Sequence, residues 1–590
     1  MMQGQPKSAI QNFYDQCISK ARQYLESRYP LETCNKDDRD YPVNLTNDSW
    51  VVWKIKVEND LHPLTYLIAV PDTFPDNLPK IYLSKKDCSD ISPIPHVDSN
   101  RFVCTRDENI VVINEDKSGE AIETLLDIAT QEIINKGIKK ENIEDLTDEF
   151  LAYWNEGAEF KVLSLINPGD EIETLKIVRF DKDFLISKNI LVRSEEEAQK
   201  WLSPFKIKID SSSTQYALYL PLESPIQPPS ANIDYCRMIE AAGKEHLSAF
   251  IKYFGHRDSN LFIFFSFPLK GERILAGWKQ IRPKKVAGFR TGKVPLNIEF
   301  VNSTIKKIQI VRIDKERLFR RGGIGIEPSL SDKALAIIGC GSLGGSLAMS
   351  LSKTGISNFL LIDKESMEIE NVARHECGFL EAGNKTTKSA AMKNRLITHF
   401  PHIDCKDYHN DILDLLKKEE SLLNSFDLVI VAIANMSVER RLNTLLRQGL
   451  ITSPLLCLWL EPYGVAGQML FIHPEKGGCY QCCLENDGEF RYSVAKPNEE
   501  LYKRETGCQS TFIQYSNLDM EHFVIVACKN IITFLGDLPH STILHTWLGD
   551  LALFKSLGYE ISDEWSADSS YSIHKRIIEE NQNCKICQNL

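Results

Sequence analysis

The sequence lacks any long apolar segment. No run reaches the roughly 18–20 apolar residues that a membrane helix needs, and the opening residues MMQGQPKSAIQNF lack the apolar core of a signal peptide. A basic excess is also missing, since 69 Lys and Arg face 81 Asp and Glu and leave a net charge of −12. A surface that follows nucleic-acid phosphates needs such an excess. We therefore expect a cytoplasmic protein whose partners include neither a membrane nor, directly, nucleic acid.

The sequence also shows no internal repeat and no low-complexity tract. Its 590 residues are too many for one hydrophobic core, and the pattern changes twice along the chain. Residues 1–155 indicate an α+β domain of helix, strands, proline-rich loop and helix, and residues 156–325 an α/β domain with one clear helix at 235–255. Residues 326–590 repeat strand, turn and helix, which is typical of a doubly wound sheet. The predicted fold class is α/β with several domains.

A glycine-rich turn with the features of a phosphate-binding βαβ unit opens the third domain. In ALAIIGCGSLGGSLAMSLSKTGISNFLLID an apolar strand leads into Gly339, Gly341 and Gly344, a helix follows, and a second strand ends at Asp363. Gly339 allows a tight turn, Gly341 lets the backbone approach a pyrophosphate, and Gly344 allows close packing of helix and strand. Asp363 is placed to accept hydrogen bonds from ribose hydroxyls. The pattern predicts nucleotide binding, and a purely structural turn is the alternative.

The residues after Asp363 distinguish between nucleotides. The glycine spacing alone fits a nicotinamide dehydrogenase equally well. However, Asn371 and Arg374 follow shortly after the acid, and Lys388 begins the next helix. An extended triphosphate needs cations near its outer phosphates, whereas a dinucleotide does not. Each residue alone is most often a solvated surface group, so it is the ordered set that favours ATP.

Two Cys-x-x-Cys pairs lie about a hundred residues apart. Cys479 with Cys482 and Cys584 with Cys587 supply four thiols, the number that a tetrahedral Zn²⁺ site takes if the fold brings the pairs together. In a cytosolic protein such pairs indicate a metal site and not a disulfide. Cys483 is an alternative to Cys482, although the spacing favours Cys482. We predict a structural zinc site, against the alternative of two unrelated buried pairs.

Two isolated cysteines are candidate nucleophiles. Cys508 follows the polar loop YKRETG and precedes an apolar helical stretch, and the neighbouring cations Lys503 and Arg504 would favour its thiolate. Cys104 ends the short strand RFVC beside a polar stretch, where it is placed to attack a thioester. In both cases a cysteine without a chemical role is the alternative. Cys528, in contrast, lies within the apolar helix and is expected in the core.

The third domain resembles the ThiF/MoeB and ubiquitin-activating adenylation domain over roughly residues 315–590. The glycine turn, Asp363, Asn371-x-x-Arg374 and Lys388 follow that family in order and spacing. Members bind ATP with Mg²⁺, adenylate the C-terminal glycine of a small protein and usually dimerise, and many carry such a zinc site. The resemblance implies that Asp363 holds the ribose, that Asn371, Arg374 and Lys388 contact the phosphates, and that Cys508 matches the catalytic cysteine of thiolating members.

Two features of this region need interpretation beside the resemblance. Where family members end the next strand with an Asp-Asn pair that positions magnesium, this chain has Ala434-Asn435. Either another carboxylate holds the ion or the ion is bound more loosely. Just before the domain, RLFRRGG places Arg317, Arg320 and Arg321 where members send an arginine into the neighbouring subunit's site. An exposed basic turn is the alternative.

The segment around Cys104 resembles the active-site segment of ubiquitin-conjugating enzymes, and the order of elements in the first domain matches as well. It departs from the eukaryotic pattern, because the His-Pro-Asn signature and its oxyanion-stabilising asparagine are missing. His96 either takes part of that role or caps the loop. The whole chain resembles the fused activating–conjugating enzymes of bacterial anti-phage CBASS operons, which attach the C-terminus of a cyclic-nucleotide synthase, a CD-NTase, to target proteins.

The resemblance implies a relay in a homodimeric enzyme. A partner's C-terminal glycine would be adenylated with ATP and Mg²⁺, transferred to Cys508 as a thioester, passed to Cys104 and joined to target lysines. Two other functions remain open. One is a ThiF/MoeB-type sulfur-carrier adenylyltransferase, which has no use for residues 1–325, and the other is an NAD-dependent enzyme with an appended binding domain. Ala434 also leaves open a catalytically inactive scaffold.

Overall fold

The chain divides into two units. The computed structural model describes residues 8–45, 49–59, 61–91, 94–106, 111–142, 144–185, 187–255, 260–282, 296–320, 330, 332–504 and 511–588. One unit comprises Met1–Arg179, Asp183–Arg193 and Ser212–Val311, and the other Phe180–Lys182, Ser194–Ser211 and Arg312–Leu590. None of the helices in the described ranges is long and apolar enough to cross a membrane.

An antiparallel five-stranded sheet flanked by helices forms the N-terminal domain. Its elements are α1 (Ala9–Glu26), β1 (Leu31–Thr33), β2 (Trp50–Val57), β3 (Leu64–Pro71), β4 (Lys80–Leu83), α2 (Lys85–Ile91), β5 (Phe102–Val103), α3 (Ser118–Asp127), α4 (Asn135–Ile138), α5 (Asp145–Asp148) and α6 (Phe150–Glu156). The strands lie side by side in chain order, each antiparallel to the next. Alternate residues such as Trp53, Ile55, Tyr66 and Ile68 pack into one core with α1 and α3. This agrees with the α+β order predicted from the sequence.

Seven strands close into a barrel in the middle of the chain. The elements here are β6 (Ala158–Ser164), β7 (Glu173–Phe184), β8 (Ser187–Val192), α7 (Glu195–Leu202), β9 (Ile209–Pro221), α8 (Asn232–Ala241), α9 (Lys244–Gly255), β10 (Asn260–Leu269), β11 (Glu272–Ile281), α10 (Leu296–Asn302) and β12 (Thr304–Arg312). The strand order is β10-β11-β12-β6-β8-β7-β9, and parallel pairing of β9 with β10 closes the barrel. The single helix predicted at 235–255 is wrong. Gly243 takes a φ of 108° just after α8, which ends that helix before α9 begins.

An eight-stranded sheet forms the frame of the C-terminal domain. Its elements are α11 (Lys315–Phe319), β13 (Ala334–Ile338), α12 (Ser342–Ser352), β14 (Asn358–Ile362), α13 (Phe379–Gly383), α14 (Lys388–His399), β15 (Asp404–Tyr408), α15 (Ile412–Lys418), β16 (Leu428–Val431), α16 (Met436–Arg447), β17 (Leu455–Leu460), β18 (Ala466–Ile472), β19 (Tyr502–Arg504), β20 (Thr511–Ile513), α17 (Asn517–Gly536), β21 (Ile543–Leu548), α18 (Leu551–Ser556), β22 (Ile573–Ile577) and α19 (Lys585–Gln588). The order is β15-β14-β13-β16-β17-β18-β21-β22, while β19 pairs with β20 in a separate two-stranded sheet. The first five strands are parallel, as predicted, and the last three extend the sheet with antiparallel pairing.

The central strand β13 explains where this sheet places a ligand. Leu335 and Ile337 pack into the core on one face, and Ala336 and Ile338 into the core on the other. A strand buried on both faces reads as a continuous apolar run, which is the pattern of the sequence here. The chain leaves β13 at Gly339, at the carboxyl edge of the parallel strands, where open α/β sheets bind their ligands.

Candidate nucleotide site, conjugating cysteine and metal centre

The glycine turn between β13 and α12 has the close contacts that the sequence predicts. Gly339 adopts a φ of 94°, a conformation that favours glycine. A Cβ on Gly344 would lie 1.9 Å from the carbonyl oxygen of Gly339, so any side chain there would clash with the turn. Gly341, the N-cap of α12, faces open space. Backbone N–H groups at the start of α12 are therefore accessible to an anion.

Asp363 follows β14 and is held at the mouth of the turn by two backbone groups. Its carboxylate accepts hydrogen bonds from the N–H of Cys340 at 2.7 Å and from the N–H of Glu365 at 2.8 Å. Asp363 lines an open cavity of about 320 Å³ at the carboxyl edge of the sheet. The residues around this cavity come from the ends of several parallel strands, the loops that follow them and the first turns of nearby helices: Ile338, Gly339, Gly341, Ile362, Asp363, Lys364, Glu365, Lys388, Asn410, Asp411, Ile412, Ala432, Ile433, Asn435 and Val438.

The three predicted phosphate ligands are divided between two places. Lys388, the first residue of α14, lines the cavity and its Nζ lies 2.6 Å from Glu365 Oε2. Asn371 and Arg374 lie on a short 3₁₀ helix and are not among the described residues that line the cavity. The Asn371 side chain accepts the N–H of Glu368, and the Arg374 guanidinium lies 5.7 Å from the ring centre of Tyr515. The structure thus brings Lys388, but not these two side chains, to the cavity wall.

Ala434 takes a φ of 48° at the end of β16, and Asn435 caps α16 through a hydrogen bond from Val438 N–H. The nearby carboxylate of Glu439 is buried, accepting the Asn435 N–H and the Tyr480 hydroxyl. Burial raises the pKa of Glu439. Its position inside the core separates it from the cavity, whose carboxylates are those of Asp363, Glu365 and Asp411.

Contacts from the segment before α17 to the glycine turn were not predicted. The Tyr515 hydroxyl lies 2.8 Å from the Ser342 hydroxyl at the start of α12, and Ser346 donates to Glu521 of α17. The sequence gives no local sign of these contacts, because they join residues more than 170 positions apart.

The two Cys-x-x-Cys pairs meet in one cluster. Sγ–Sγ distances are 3.9 Å between Cys479 and Cys482, 3.6 Å between Cys479 and Cys584, and 3.6 Å between Cys482 and Cys587. All four sulfur atoms lie within 4.8 Å of one another. A tetrahedral Zn²⁺ with Zn–S bonds of about 2.3 Å holds its sulfurs about 3.8 Å apart. The arrangement therefore has the size and the soft thiol donors that a zinc ion takes.

The fifth cysteine of this region stays outside the cluster. Cys483 is fully buried and its thiol faces the carbonyl of Cys479 at 3.8 Å. The guanidinium of Arg447 fixes the chain just before the first pair by donating to the carbonyl groups of Gly477 and Gly478, at 2.6 and 2.5 Å. The geometry thus favours Cys482 over Cys483, as the spacing predicts.

The structure describes some of the remaining residues predicted in the C-terminal domain and leaves out others. Cys508, between β19 and β20, lies outside the described residues, as does Arg321. Arg317 lies on α11, where its backbone N–H donates to Asp314, and Arg320 is exposed just beyond that helix. Cys528 lies on α17 with its side chain in the core, which confirms the prediction for it.

Cys104 directly follows β5 and is exposed. Of the cysteines that the structure describes, the others are all buried or half-buried. The Cys104 N–H donates to the carbonyl of His96 at 2.8 Å. The His96 ring is engaged by carboxylates, with Nδ1 2.8 Å from Glu149 Oε1 and Nε2 3.2 Å from Asp145 Oδ2. These contacts favour the interpretation that His96 caps the loop.

Comparison with known proteins assigns both ends of the chain. The model of the ThiF family matches residues 319–535, and that of the prokaryotic E2 family B matches residues 46–163. The chain thus joins an activating domain and a conjugating domain in one polypeptide. This fused enzyme is an ATP-dependent conjugating enzyme of the ubiquitin type.

Several relatives share parts of this fused enzyme. An ATP-dependent ubiquitin transferase-like protein Cap2 from Escherichia coli is 21% identical over 89% of this chain and 88% of its own length. Cap2 from Pseudomonas aeruginosa is 26% identical over 36% of this chain and 37% of its own. The mouse adenylyltransferase and sulfurtransferase MOCS3 is 25% identical over 30% of this chain and 38% of its own length. A crystal structure of E. coli MccB covers 46% of this chain and 72% of its own, with 16% identity and a TM-score of 0.33.

Proposed function

We propose that the enzyme activates the C-terminal glycine of a partner protein and joins it to lysines of target proteins through two successive thioesters. The observation that carries the proposal is the presence, in one chain, of a ThiF match with a cavity of about 320 Å³ beside the glycine turn and a prokaryotic E2 match with an exposed cysteine. In this proposal the domains are 1–155 for conjugation, 156–325 as the middle domain and 326–590 for activation.

The first step is adenylation. The partner's carboxylate attacks the α-phosphorus of ATP, a P–O bond forms, and pyrophosphate leaves with the electrons of the broken Pα–O bond. Three residues would support this step. The open backbone at Gly341 would admit the phosphates, and Asp363 would accept hydrogen bonds from the ribose hydroxyls. Lys388 would offset negative charge on the departing phosphates. Asn371 and Arg374 would reach the phosphates after a side-chain movement from their present contacts.

The next steps move the acyl group between sulfurs. The Cys508 thiolate attacks the acyl carbon and AMP leaves; the Cys104 thiolate then attacks the same carbon and Cys508 leaves as thiolate. A lysine amine finally displaces Cys104, loses a proton and forms an isopeptide bond. Because both thiols belong to one chain, the effective concentration of the acceptor is roughly millimolar. The role of Cys508 rests on its sequence position, and that of Cys104 also on its exposure.

Two metal ions accompany this function. Cys479, Cys482, Cys584 and Cys587 would hold Zn²⁺ as thiolates, and the ion would join the segment after β18 to α19, a structural role. Mg²⁺ would enter with ATP, and Glu365 and Asp411 offer carboxylates on the cavity wall in place of the residue that Ala434 replaces. Magnesium supplies charge neutralisation on the phosphates.

The proposed setting is anti-phage defence in the bacterial cytoplasm. The partner protein would be a CD-NTase whose C-terminus ends in glycine, primed by attachment to lysine-bearing targets, and the enzyme would act as a homodimer. The likeness of this chain to Cap2 over nearly its full length supports this assignment. Arg317, Arg320 or Arg321 would then act across the dimer.

The deciding experiment traps the relay. The enzyme is incubated with ATP, Mg²⁺ and a CD-NTase from the same genome, and DTT-sensitive adducts are mapped by mass spectrometry. We expect adducts at Cys508 and Cys104 with the wild type. Cys104→Ala should keep the Cys508 adduct and lose all conjugates, while Cys88→Ala, a half-buried cysteine of α2, should behave as wild type. The CD-NTase without its last residue is the control substrate.

The same mixture separates the two alternatives. Label from radioactive pyrophosphate should enter ATP only when the protein substrate is present, because only an adenylating enzyme reverses this step. An NAD-dependent enzyme would show no exchange. A sulfur-carrier adenylyltransferase would exchange label but would be indifferent to Cys104→Ala. Absence of any DTT-sensitive adduct at both cysteines contradicts the relay.

A further inference from the structure

The short helix α6 has an apolar face that belongs to the barrel. Phe150 and Trp154 are fully buried and their rings stack at 5.3 Å. Both side chains pack into the core formed by β9, β10 and β11 and their covering helices, where Phe265 lies against each ring. The Trp154 indole N–H also donates to the carbonyl of Ile308 on β12, at 3.1 Å. The barrel therefore fixes the position of α6.

The polar side of α6 faces the loop that precedes Cys104. The Tyr153 hydroxyl accepts the His96 N–H at 2.7 Å and donates to Glu149 Oε2 at 2.9 Å. One turn further along, the Glu156 carboxylate accepts the N–H of Ser99 at 3.0 Å. Two backbone amides of the loop are thus held by side chains of one barrel-anchored helix.

His96 connects these contacts to the backbone of Cys104. Its φ of 64° lies in the left-handed region, which costs a residue with a side chain free energy that contacts around it can offset. Here the ring lies between Glu149 and Asp145, and the backbone N–H is bound by Tyr153. The His96 carbonyl in turn accepts the Cys104 N–H at 2.8 Å. A continuous series of direct contacts therefore runs from the barrel core to the backbone of Cys104.

We propose that the barrel positions the conjugating cysteine through α6, and that Glu149, Tyr153 and His96 are positioning residues for acyl transfer at Cys104. The inference rests on the proposed function and assigns a task to the middle domain. A relay needs the acceptor thiol in a defined orientation toward the thioester carbon. Small displacements of a reacting group cost large factors in rate. A loop fixed only by its own turn would leave Cys104 less well oriented.

The competing explanation is that these contacts only stabilise the fold, and matched tyrosines separate the two. Tyr153→Phe removes one hydroxyl that contacts Glu149 and His96. Tyr24→Phe removes a hydroxyl that donates to Glu123 at 2.7 Å, a contact between α1 and α3. Two readouts need no partner protein: alkylation of Cys104 by iodoacetamide, followed by mass spectrometry across a pH series, and hydrogen exchange at the Cys104 amide.

We expect Tyr153→Phe to speed hydrogen exchange at the Cys104 amide and to change the alkylation rate of Cys104, while Tyr24→Phe leaves both at wild-type values. With ATP and the CD-NTase, Tyr153→Phe should slow formation of the Cys104 adduct about 10- to 100-fold and leave the Cys508 adduct unchanged. Trp154→Phe, which keeps an aromatic ring but loses the bond to Ile308, should change the same readouts in the same direction by a smaller factor.

A double variant tests whether the residues act together. Because Glu149 and Tyr153 act on the same His96, Glu149→Gln with Tyr153→Phe should slow transfer no more than the worse single variant. The proposal is overturned if Tyr153→Phe and Tyr24→Phe give the same alkylation and hydrogen-exchange rates. It is also overturned if the double variant slows transfer by the product of the factors measured for Glu149→Gln and Tyr153→Phe alone. If the wild type forms no Cys104 adduct but the exchange and alkylation differences appear, the relay fails while the positioning by α6 stands.

Discussion

Gly341 and Gly344 belong to one turn but have different surroundings. Gly344→Ala would place a Cβ 1.9 Å from the Gly339 carbonyl, so we expect overpacking that costs about 1–3 kcal/mol of unfolding free energy or more. Gly341→Ala meets open space in the structure and should leave the melting temperature near wild type. Its methyl group would instead occupy the place of a phosphate and weaken ATP binding. Thermal melts and ATP titration of both variants check this; equal behaviour of the two would contradict it.

His96 and Glu149 form a pair whose strength depends on pH. The hydrogen bond to Glu149 raises the pKa of His96 against the effect of burial, with Asp145 adding to the rise. Burial acts to raise the pKa of Glu149, but hydrogen bonds from His96 and Tyr153 outweigh it and lower that pKa. The stabilisation of the folded state by protonated His96 is therefore fully present below the pKa of about 6.5 that histidine has in the unfolded chain. It is lost as the pH rises through the higher pKa of His96 in the folded protein.

Glu149→Gln should accordingly lower the melting temperature more at pH 6 than at pH 9. Asp145, Glu149 and Tyr153 are the titratable groups that face the His96 ring and backbone. The control is Glu156→Gln, which removes the charge of a carboxylate that accepts the Ser99 N–H and has no histidine partner. Its effect should be the same at both pH values. A pH-independent effect of Glu149→Gln would exclude the charged pair.

The four-cysteine cluster joins elements that lie far apart in sequence, the 3₁₀ turn at Tyr480–Cys483 and α19. We expect Cys584→Ser to reduce the zinc content from about one ion per chain toward zero and to lower the melting temperature. Cys483→Ser changes a buried thiol outside the cluster, so it should retain zinc even if it destabilises the core. Metal analysis of both purified variants decides this. Retention of zinc by Cys584→Ser would contradict the proposed ligand set.

Local patterns predicted some elements well and others not at all. The strand, glycine turn and helix around Gly339 were predictable because each step has its own local signal. The cysteine pairs were predictable because zinc chemistry brings together ligands whatever their separation. The break at Gly243 was missed, since an isolated glycine within an apolar periodic run is tolerated in many helices. That Phe150 and Trp154 join the barrel core was equally invisible, because their apolar spacing does not encode which core they enter.

The residues of the candidate sites also divide into those with a sequence signal and those without one. Asp363 and Lys388 were predicted as nucleotide ligands from their order in the chain, and both line one cavity. Asn371 and Arg374 came from the same order, yet their side chains make other contacts. The Glu149 and Tyr153 contacts to His96 had no signal, since more than 50 residues separate the partners. Cys508 stays a prediction.

For the complete chain, a tethered relay predicts how the rate depends on concentration. Transfer from Cys508 to Cys104 should follow first-order kinetics with a rate constant that is unchanged between about 0.1 and 10 µM enzyme, since the tether fixes the effective concentration near millimolar. Single-turnover measurements after removal of ATP test this. A rate proportional to enzyme concentration would show that the acyl group passes between separate molecules. Light scattering on the same samples tests the homodimer, whose mass is twice 67.2 kDa.

The distance in sequence between the two halves of the cysteine cluster also has a consequence for biosynthesis. Cys479 and Cys584 are 105 positions apart, so a ribosome adding about 5–20 residues per second makes the second half about 5–20 seconds after the first. During that interval Cys479 and Cys482 have been synthesised but Cys584 and Cys587 have not. The four-thiol cluster can close only once Cys584 and Cys587 have left the exit tunnel, so until then the first pair supplies two of the four thiols that a tetrahedral Zn²⁺ takes.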